Sequence, residues 1–221
     1  MDLKEAARQR HSVRSFLPRE IDGDARRALE ERITLLNKES GLNIQLVLNE
    51  PKAFGTSLLA HYGKFENVNN YIVLAGKKGR DLQQKCGYYG EDLVLFAQTL
   101  GLNTCWVALT YKKISGAYTL GADEKVALVI AIGYGKTNGS PRRSKTYKDV
   151  ARAENPPEWF VNGVEGALLA PTAVNQQKFR FVLEGNRVKA EAGTGFYTAI
   201  DLGIARYHFE LFAGKENFEW A

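Results

Sequence analysis

Ten residues, VALVIAIGYG from Val126 to Gly135, constrain the fold of this chain more than any other stretch. The run carries no charge, is far too short to span a membrane, and reads as a buried strand. YIVLAG, Tyr71 to Gly76, reads the same way. Between them lies the longest helical pattern, Asp81 to Leu100, where Leu93, Phe96, Ala97 and Leu100 recur at three- and four-residue spacing and Gly101 supplies the C-cap. Buried strands alternating with a core helix predict an α+β protein, a mixed sheet flanked by helices. A chain of 221 residues is long enough for a substantial core, as one large domain or two small, intimately packed ones.

The remaining elements follow from local signals. Asp2 caps a helix over Leu3–Gln9, and a second helix over Gly23–Leu36 carries Ala25, Leu29, Ile33 and Leu36 on one side. NIQLVLNE alternates as a strand, a short helix follows around Phe54–Tyr62, and NTCWVALT reads as extended. TNGSPRRSKTYKDV is a polar loop. A helix over Glu158–Leu169, a hairpin in KFRFVLEGNRVKAEA turning at Glu184-Gly185-Asn186, and a helix over Tyr197–Ala213 complete the chain before NFEW. A weak internal repeat emerges: NIQLVLNE is mirrored by KFRFVLEG, and GYYGEDLVLFAQTLGL by GTGFYTAIDLGIARYHFELFAG.

Hydrophobic residues at 44% and charged residues at 25% are ordinary for a globular protein. A net charge of +5 is mildly basic, but no dense Lys/Arg tract with interleaved aromatics points to nucleic acid. Cys86 and Cys105 have no metal-type spacing, lie in apolar surroundings, and read as buried inert thiols. The start, MDLKEAARQR, has no apolar signal region, so a reducing cytoplasm is the expected location, with no membrane partner.

Three stretches carry chemistry. In RHSVRSF, an extended backbone would project Arg10, Ser12 and Arg14 from one face, with His11, Val13 and Ser15 on the other. Two guanidinium forks and a hydroxyl suit a phosphate; the plainer reading is a basic surface near a terminus. In APTAVNQQKF, Pro171 ends a helix, and Thr172, Asn175 and Gln177 offer a hydroxyl and two amides. Those groups match the alternating donors and acceptors of a flavin pyrimidine edge or a nucleobase; alternatively they form a polar turn. In GYGKTNGSPRRSK, the glycine spacing is wrong for a dinucleotide fingerprint, and Arg142, Arg143 and Lys145 form either a second jaw on a phosphate or a solvated loop.

Together these segments resemble the FMN-dependent nitroreductase family. RHSVRSF resembles its phosphate signature, APTAVNQQKFRF its flavin-contacting loop, GYYGEDLVLFAQTLGLNTCW its central helix and IAIGYGKTNGSPRRSKTYKDV its late strand and basic loop. Two departures stand out. LLNKESGLNIQ occupies the place after the first long helix where the family carries its proline–serine–asparagine loop, and Lys178 and Phe179 replace the family's proline and tryptophan. The displaced loop and the repeat are both explained by tandem pseudo-dimer halves, residues 1–150 bearing the arginine–serine segment and central helix and residues 151–221 bearing the flavin loop, packed as one globular unit.

The resemblance implies a nitroreductase-like fold with an internal pseudo-two-fold duplication, bound FMN, and no metal. Arg10, His11, Ser12 and Arg14 would hold the FMN phosphate, helped by Arg143 or Lys145. Pro171, Thr172, Ala173 and Asn175 would meet the isoalloxazine, and Lys64 would lie near its pyrimidine ring. The implied activity is that of an NAD(P)H-dependent flavin oxidoreductase, passing a hydride through flavin N5 to a quinone, nitroaromatic or similar small-molecule acceptor, with no catalytic acid or base required. A non-catalytic FMN or phosphate-ligand binding protein on the same fold is the alternative, its pocket closed by Trp106, Phe196 or Trp220. The assembly would be a monomer acting as a pseudo-dimer, or a homodimer. His61 and His208 read as structural.

Overall fold

The computed structural model describes residues 1–54 and 65–221. Most of the helix expected around Phe54–Tyr62, and with it His61 and Lys64, falls outside them. The chain divides into two compact units that do not follow chain order. A central unit comprises Arg10–Leu82 and Leu93–Pro141, and a terminal unit comprises Met1–Gln9, Gln83–Asp92 and Arg142–Ala221. Compactness thus divides the chain differently from the repeat.

In the central unit four strands form an antiparallel sheet in the order β1-β2-β4-β3: β1 Asn43–Val47, β2 Tyr71–Lys77, β3 Asn103–Val107 and β4 Glu124–Gly133. The apolar run that dominates the sequence is the inner strand β4, with Ile130 opposite both Ile72 and Trp106. Val73, Ala75, Val129 and Ala131 join one core cluster with Val13, Phe16, Cys105 and Val107. Their neighbours on the opposite face, Ile72, Leu74, Ile130 and Ile132, are buried as well, so both faces are covered and the strands read as continuous apolar runs. Each such side chain contributes about 1.5–3 kcal/mol of burial.

Helix α1 spans Leu3–Gln9 in the terminal unit and is capped as expected, Asp2 Oδ1 accepting the Glu5 N–H at 2.8 Å. Helix α2 of the central unit spans Gly23–Ser40, burying Leu29, Ile33 and Leu36. It runs four residues past the expected end because its last turn is tied into the sheet. Asn37 brackets Ile44, donating to its carbonyl at 2.8 Å and accepting its N–H at 2.7 Å, and Gly41 at φ 69° closes the helix. The long helix α3 spans Leu82–Thr99.

In the terminal unit, α4 (Tyr147–Val150) is capped by the Thr146/Asp149 box, which the polar-loop reading of that stretch missed. Helix α5 (Glu158–Leu168) packs on helix α6 (Thr198–Ala213), which packs on a second sheet in the order β5-β6-β7-β8. It is mixed: the hairpin β6 (Phe179–Glu184) and β7 (Arg187–Ala192) is flanked by parallel two-residue strands β5 (Ala151–Arg152) and β8 (Glu219–Trp220). Its core is aromatic, with Phe181 stacked on Phe209 at 4.6 Å and Phe160 edge-on to Phe209 at 5.7 Å.

The repeat is present in three dimensions where α3 meets α6. A shift of 116 residues (203 minus 87) carries Gln84, Gly87, Tyr88, Glu91 and Asp92 onto Ile200, Gly203, Ile204, Tyr207 and His208. A Cβ on Gly87 would strike the Ile200 carbonyl and crowd the Ile204 nitrogen, and one on Gly203 would strike the Gln84 carbonyl and crowd the Tyr88 nitrogen. The side chains exchange in the same way: Glu91 meets His208 Nε2 at 2.8 Å, and Tyr207 donates to Asp92 at 2.9 Å. Wherever two residues meet, their counterparts meet as well, the mark of a two-fold contact. Element order recurs too, α1-α2-β1-β2-α3-β3 against α4-α5-β6-β7-α6-β8. In the first sheet β4 separates β2 from β3, which therefore run parallel; among the described residues the second half has no such strand, and β8 pairs with β7 directly in parallel.

Candidate functional site

The arginine segment lies in the central unit. Its backbone is extended along β3, Val13 N–H bonding the Thr104 carbonyl at 3.0 Å, so alternate side chains take opposite sides. Val13 enters the same core cluster as the Cys105 thiol, and Arg10, Ser12 and Arg14 hold the alternate positions of the segment. Burial pushes that thiol up; the charges of Arg14 and Arg10 and a hydrogen bond from Ser12 pull it back. Arg10 is only 2% exposed, a position that a guanidinium holds only among strongly polar groups. Ser15 faces elsewhere, donating to Glu66 at 2.6 Å. Glu66 also pairs with Lys136, and Lys136 and Ser15 hold its carboxyl below the usual range.

Gly139 explains how the late loop reaches this segment. Its φ is 76°, and a Cβ there would lie 2.7 Å from His11 Cβ and 3.0 Å from the Ser12 carbonyl. Only glycine fits both demands. Loop 136–139 therefore lies against His11 and the Ser12 carbonyl. Two guanidinium forks and a hydroxyl form a donor set that suits a phosphate dianion.

The second stretch lies in the terminal unit, between α5 and β6. Arg142 closes α5 by donating to the Leu168 and Ala170 carbonyls at 3.1 and 2.8 Å. Gln177 is buried and fully engaged: its Oε1 accepts Lys145 N–H at 2.7 Å, and its Nε2 donates to Ser144 Oγ at 3.0 Å. Thr172 Oγ1 accepts Gln177 N–H at 3.0 Å, Lys145 Nζ donates to the Gln177 carbonyl at 2.8 Å, and Asn175 Nδ2 donates to the Arg143 carbonyl at 2.8 Å. Arg143 and Lys145 thus buttress the 172–177 loop, Arg143 through its backbone and Lys145 through its amine, a role the sequence did not announce for them. Gln177 is spent inside the protein rather than offered to a ligand.

The loop is strained. Val174, Asn175 and Gln177 have φ of 45°, 54° and 44°, and Tyr197 before α6 has 56°. Such conformations cost about 1–3 kcal/mol each in non-glycine residues, most for the β-branched Val174, whose side chain is 90% exposed. Asp201, 2% exposed in the first turn of α6, holds the loop from behind. Its Oδ1 accepts Ala173 N–H at 2.9 Å and its Oδ2 accepts Gln176 Nε2 at 2.7 Å. Burial pushes this carboxyl up to about 6, against the pull of both hydrogen bonds. Asp201 and Gln176 were missed from sequence; the available signal was one carboxylate set among the apolar residues of AIDLGIA.

Other side chains singled out in the sequence occupy distinct settings. His208 is fully buried against Glu91, a structural position. Cys86 is buried with its thiol pushed up to about 12, an inert group. Trp220 is packed within the terminal unit, donating to Glu210 at 2.7 Å beneath Arg206, whereas Phe196 is 81% exposed. Among the described residues no His, Cys, Asp or Glu group of three could hold a metal ion, and no helix is long and apolar enough to cross a membrane.

These features define an α+β protein with an extended arginine-bearing segment and a strained polar loop. The family described as "Putative TM nitroreductase" matches residues 2–213, and the chain belongs to it. Its fold is that of a "putative nitroreductase" from Thermotoga maritima, at 26% identity over 96% of this chain and 83% of that one, with a TM-score of 0.69. A "putative nitroreductase in complex with FMN" from Desulfovibrio desulfuricans is similar in fold at 18% identity, covering 71% of this chain and 99% of its own, TM-score 0.54. An "FMN-dependent Nitroreductase" from Clostridium difficile gives 17%, 68%, 98% and 0.52. No curated protein matches the chain.

Proposed function

We propose that this protein is an FMN-dependent oxidoreductase that takes a hydride equivalent from NAD(P)H and delivers it to a small acceptor such as a quinone or nitroaromatic. The observation that carries the reading is the extended RHSVRSF segment, whose Val13 pairs with Thr104 of β3 and whose Arg10, Ser12 and Arg14 hold the alternate positions, in a chain matched to a nitroreductase family over nearly its whole length. The FMN bound by the Desulfovibrio relative supports the same cofactor here.

Arg10, Ser12 and Arg14 hold the phosphate, with the His11 backbone fixed beneath loop 136–139. Arg10 is pre-set by burial, so little side-chain freedom is lost on binding; Arg14 supplies the adaptable second fork. Pro171, Thr172, Ala173 and Asn175 contact the isoalloxazine. The resemblance implies that Lys64, which lies outside the described residues, would serve the pyrimidine ring, and Arg143 and Lys145 act by bracing the 172–177 loop. When bound, the flavin supplies the hydride chemistry itself, and the protein's task is to hold and orient it and to limit water around it.

Titration of flavin-free protein with FMN, read by quenching of flavin fluorescence, tests the binding. Anaerobic addition of NADH or NADPH to the saturated protein, read at the flavin absorption band, tests the chemistry. Tight binding with bleaching supports the oxidoreductase. Tight binding without bleaching leaves a flavin-binding protein, and absence of binding removes both.

A further inference from the structure

We propose that Asp201 is the positioning residue of the 172–177 loop: its buried carboxylate clamps both ends of the left-handed pair Val174–Asn175 and so sets the shape that the loop presents to a flavin ring. The inference rests on the flavin reading above and deepens it.

The geometry is that of a staple. Ala173, whose N–H meets Oδ1 at 2.9 Å, immediately precedes the pair, and Gln176, whose amide meets Oδ2 at 2.7 Å, immediately follows it. Neither strained residue is itself held by the carboxylate; the residues on either side are. Gln176 Nε2 also donates to the Phe196 carbonyl at 2.7 Å, so the same carboxylate organises the segment entering α6. Gly195 in that segment sits where a Cβ would lie 2.5 Å from Gln176 Oε1.

Both donors are neutral amides, so hydrogen bonding alone offsets the burial of the charge, and the carboxyl is pushed up to about 6. Only the ionised form accepts at both oxygens; a protonated carboxyl would turn one of them into a donor facing an N–H. Asp201 is therefore costly to the fold and aimed at strained backbone. A residue kept on those terms serves the site it shapes.

The test compares wild type, Asp201→Asn and Asp201→Ala by three measurements: affinity for FMN and for riboflavin, thermal midpoint, and hydrogen exchange at the Ala173 amide without flavin. Asparagine keeps one acceptor but turns a donor toward Gln176. The expected result is that both variants weaken FMN and riboflavin by the same factor, about 10-fold. The FMN-to-riboflavin ratio is thereby preserved, Ala173 exchange is faster, and Asp201→Asn melts no lower than wild type. Arg14→Ala, acting at the phosphate, should change that ratio instead. Wild-type affinity for both flavins in both variants overturns the inference and leaves the flavin reading intact. A changed ratio, or an Asp201→Asn protein that melts well below wild type, overturns it as well. Wild type binding neither flavin removes the flavin reading, and Ala173 exchange then decides alone: unchanged exchange in Asp201→Asn overturns the positioning role, faster exchange supports it.

Discussion

Arg10 and Arg14 differ in exposure, and the difference predicts how each responds to change. Arg14 is exposed, so Arg14→Ala removes a charge-assisted contact without leaving a hole. FMN affinity should fall about 10- to 100-fold while riboflavin affinity holds, as two parallel titrations would show. Asp201 gives a pH prediction. Its carboxyl binds a proton near pH 6 in the folded chain but near 3.8 when unfolded, so its contribution to stability is greatest below pH 3.8 and is lost as pH rises through 6. Asp201→Asn should flatten that part of the stability–pH profile in urea melts; an unchanged profile would sink the assignment. The extended course of Arg10–Arg14 was legible because an extended backbone has a period of two and needs no tertiary information. Asp201 was not, because its partner Ala173 lies 28 residues away across a loop.

At the scale of elements, the crossing of α3 and α6 is the most constrained contact of the terminal unit. Gly87→Ala and Gly203→Ala should each destabilise by about 1–3 kcal/mol or more, and by similar amounts, because each places a methyl group against the same backbone atoms of the counterpart helix. Urea midpoints measure both; a large difference between them would argue against the two-fold contact. His208→Ala should cost about 1–3 kcal/mol by removing a buried hydrogen bond to Glu91, and a double-mutant cycle with Glu91→Gln should show coupling. Helices were readable from apolar spacing, their ends less so: Ser40 and Asn37 extend α2 through side-chain bonds that no propensity encodes. Strands β5 and β8 were illegible, since two residues have no periodicity and exist only by pairing with the hairpin.

For the whole molecule, the repeat predicts binding stoichiometry. The arginine segment occurs only in the first half and the 172–177 loop only in the second, so saturation should come at one FMN per chain, as fluorescence titration against protein of known concentration would reveal. Two equivalents would mean that both halves retain a full site. The sequence by itself determined the α+β class, the buried strands, the long helix and the cationic segment, because hydrophobic period and side-chain alternation act over a few residues. Only the tertiary structure decided that Arg143 and Lys145 brace a loop, that Gly139 must be glycine, that Asp201 clamps strained backbone, and that Glu91, Asp92, Tyr207 and His208 exchange partners about a two-fold. Each of those depends on atoms brought within a few ångströms across long stretches of chain, and local pattern carries no information about such encounters.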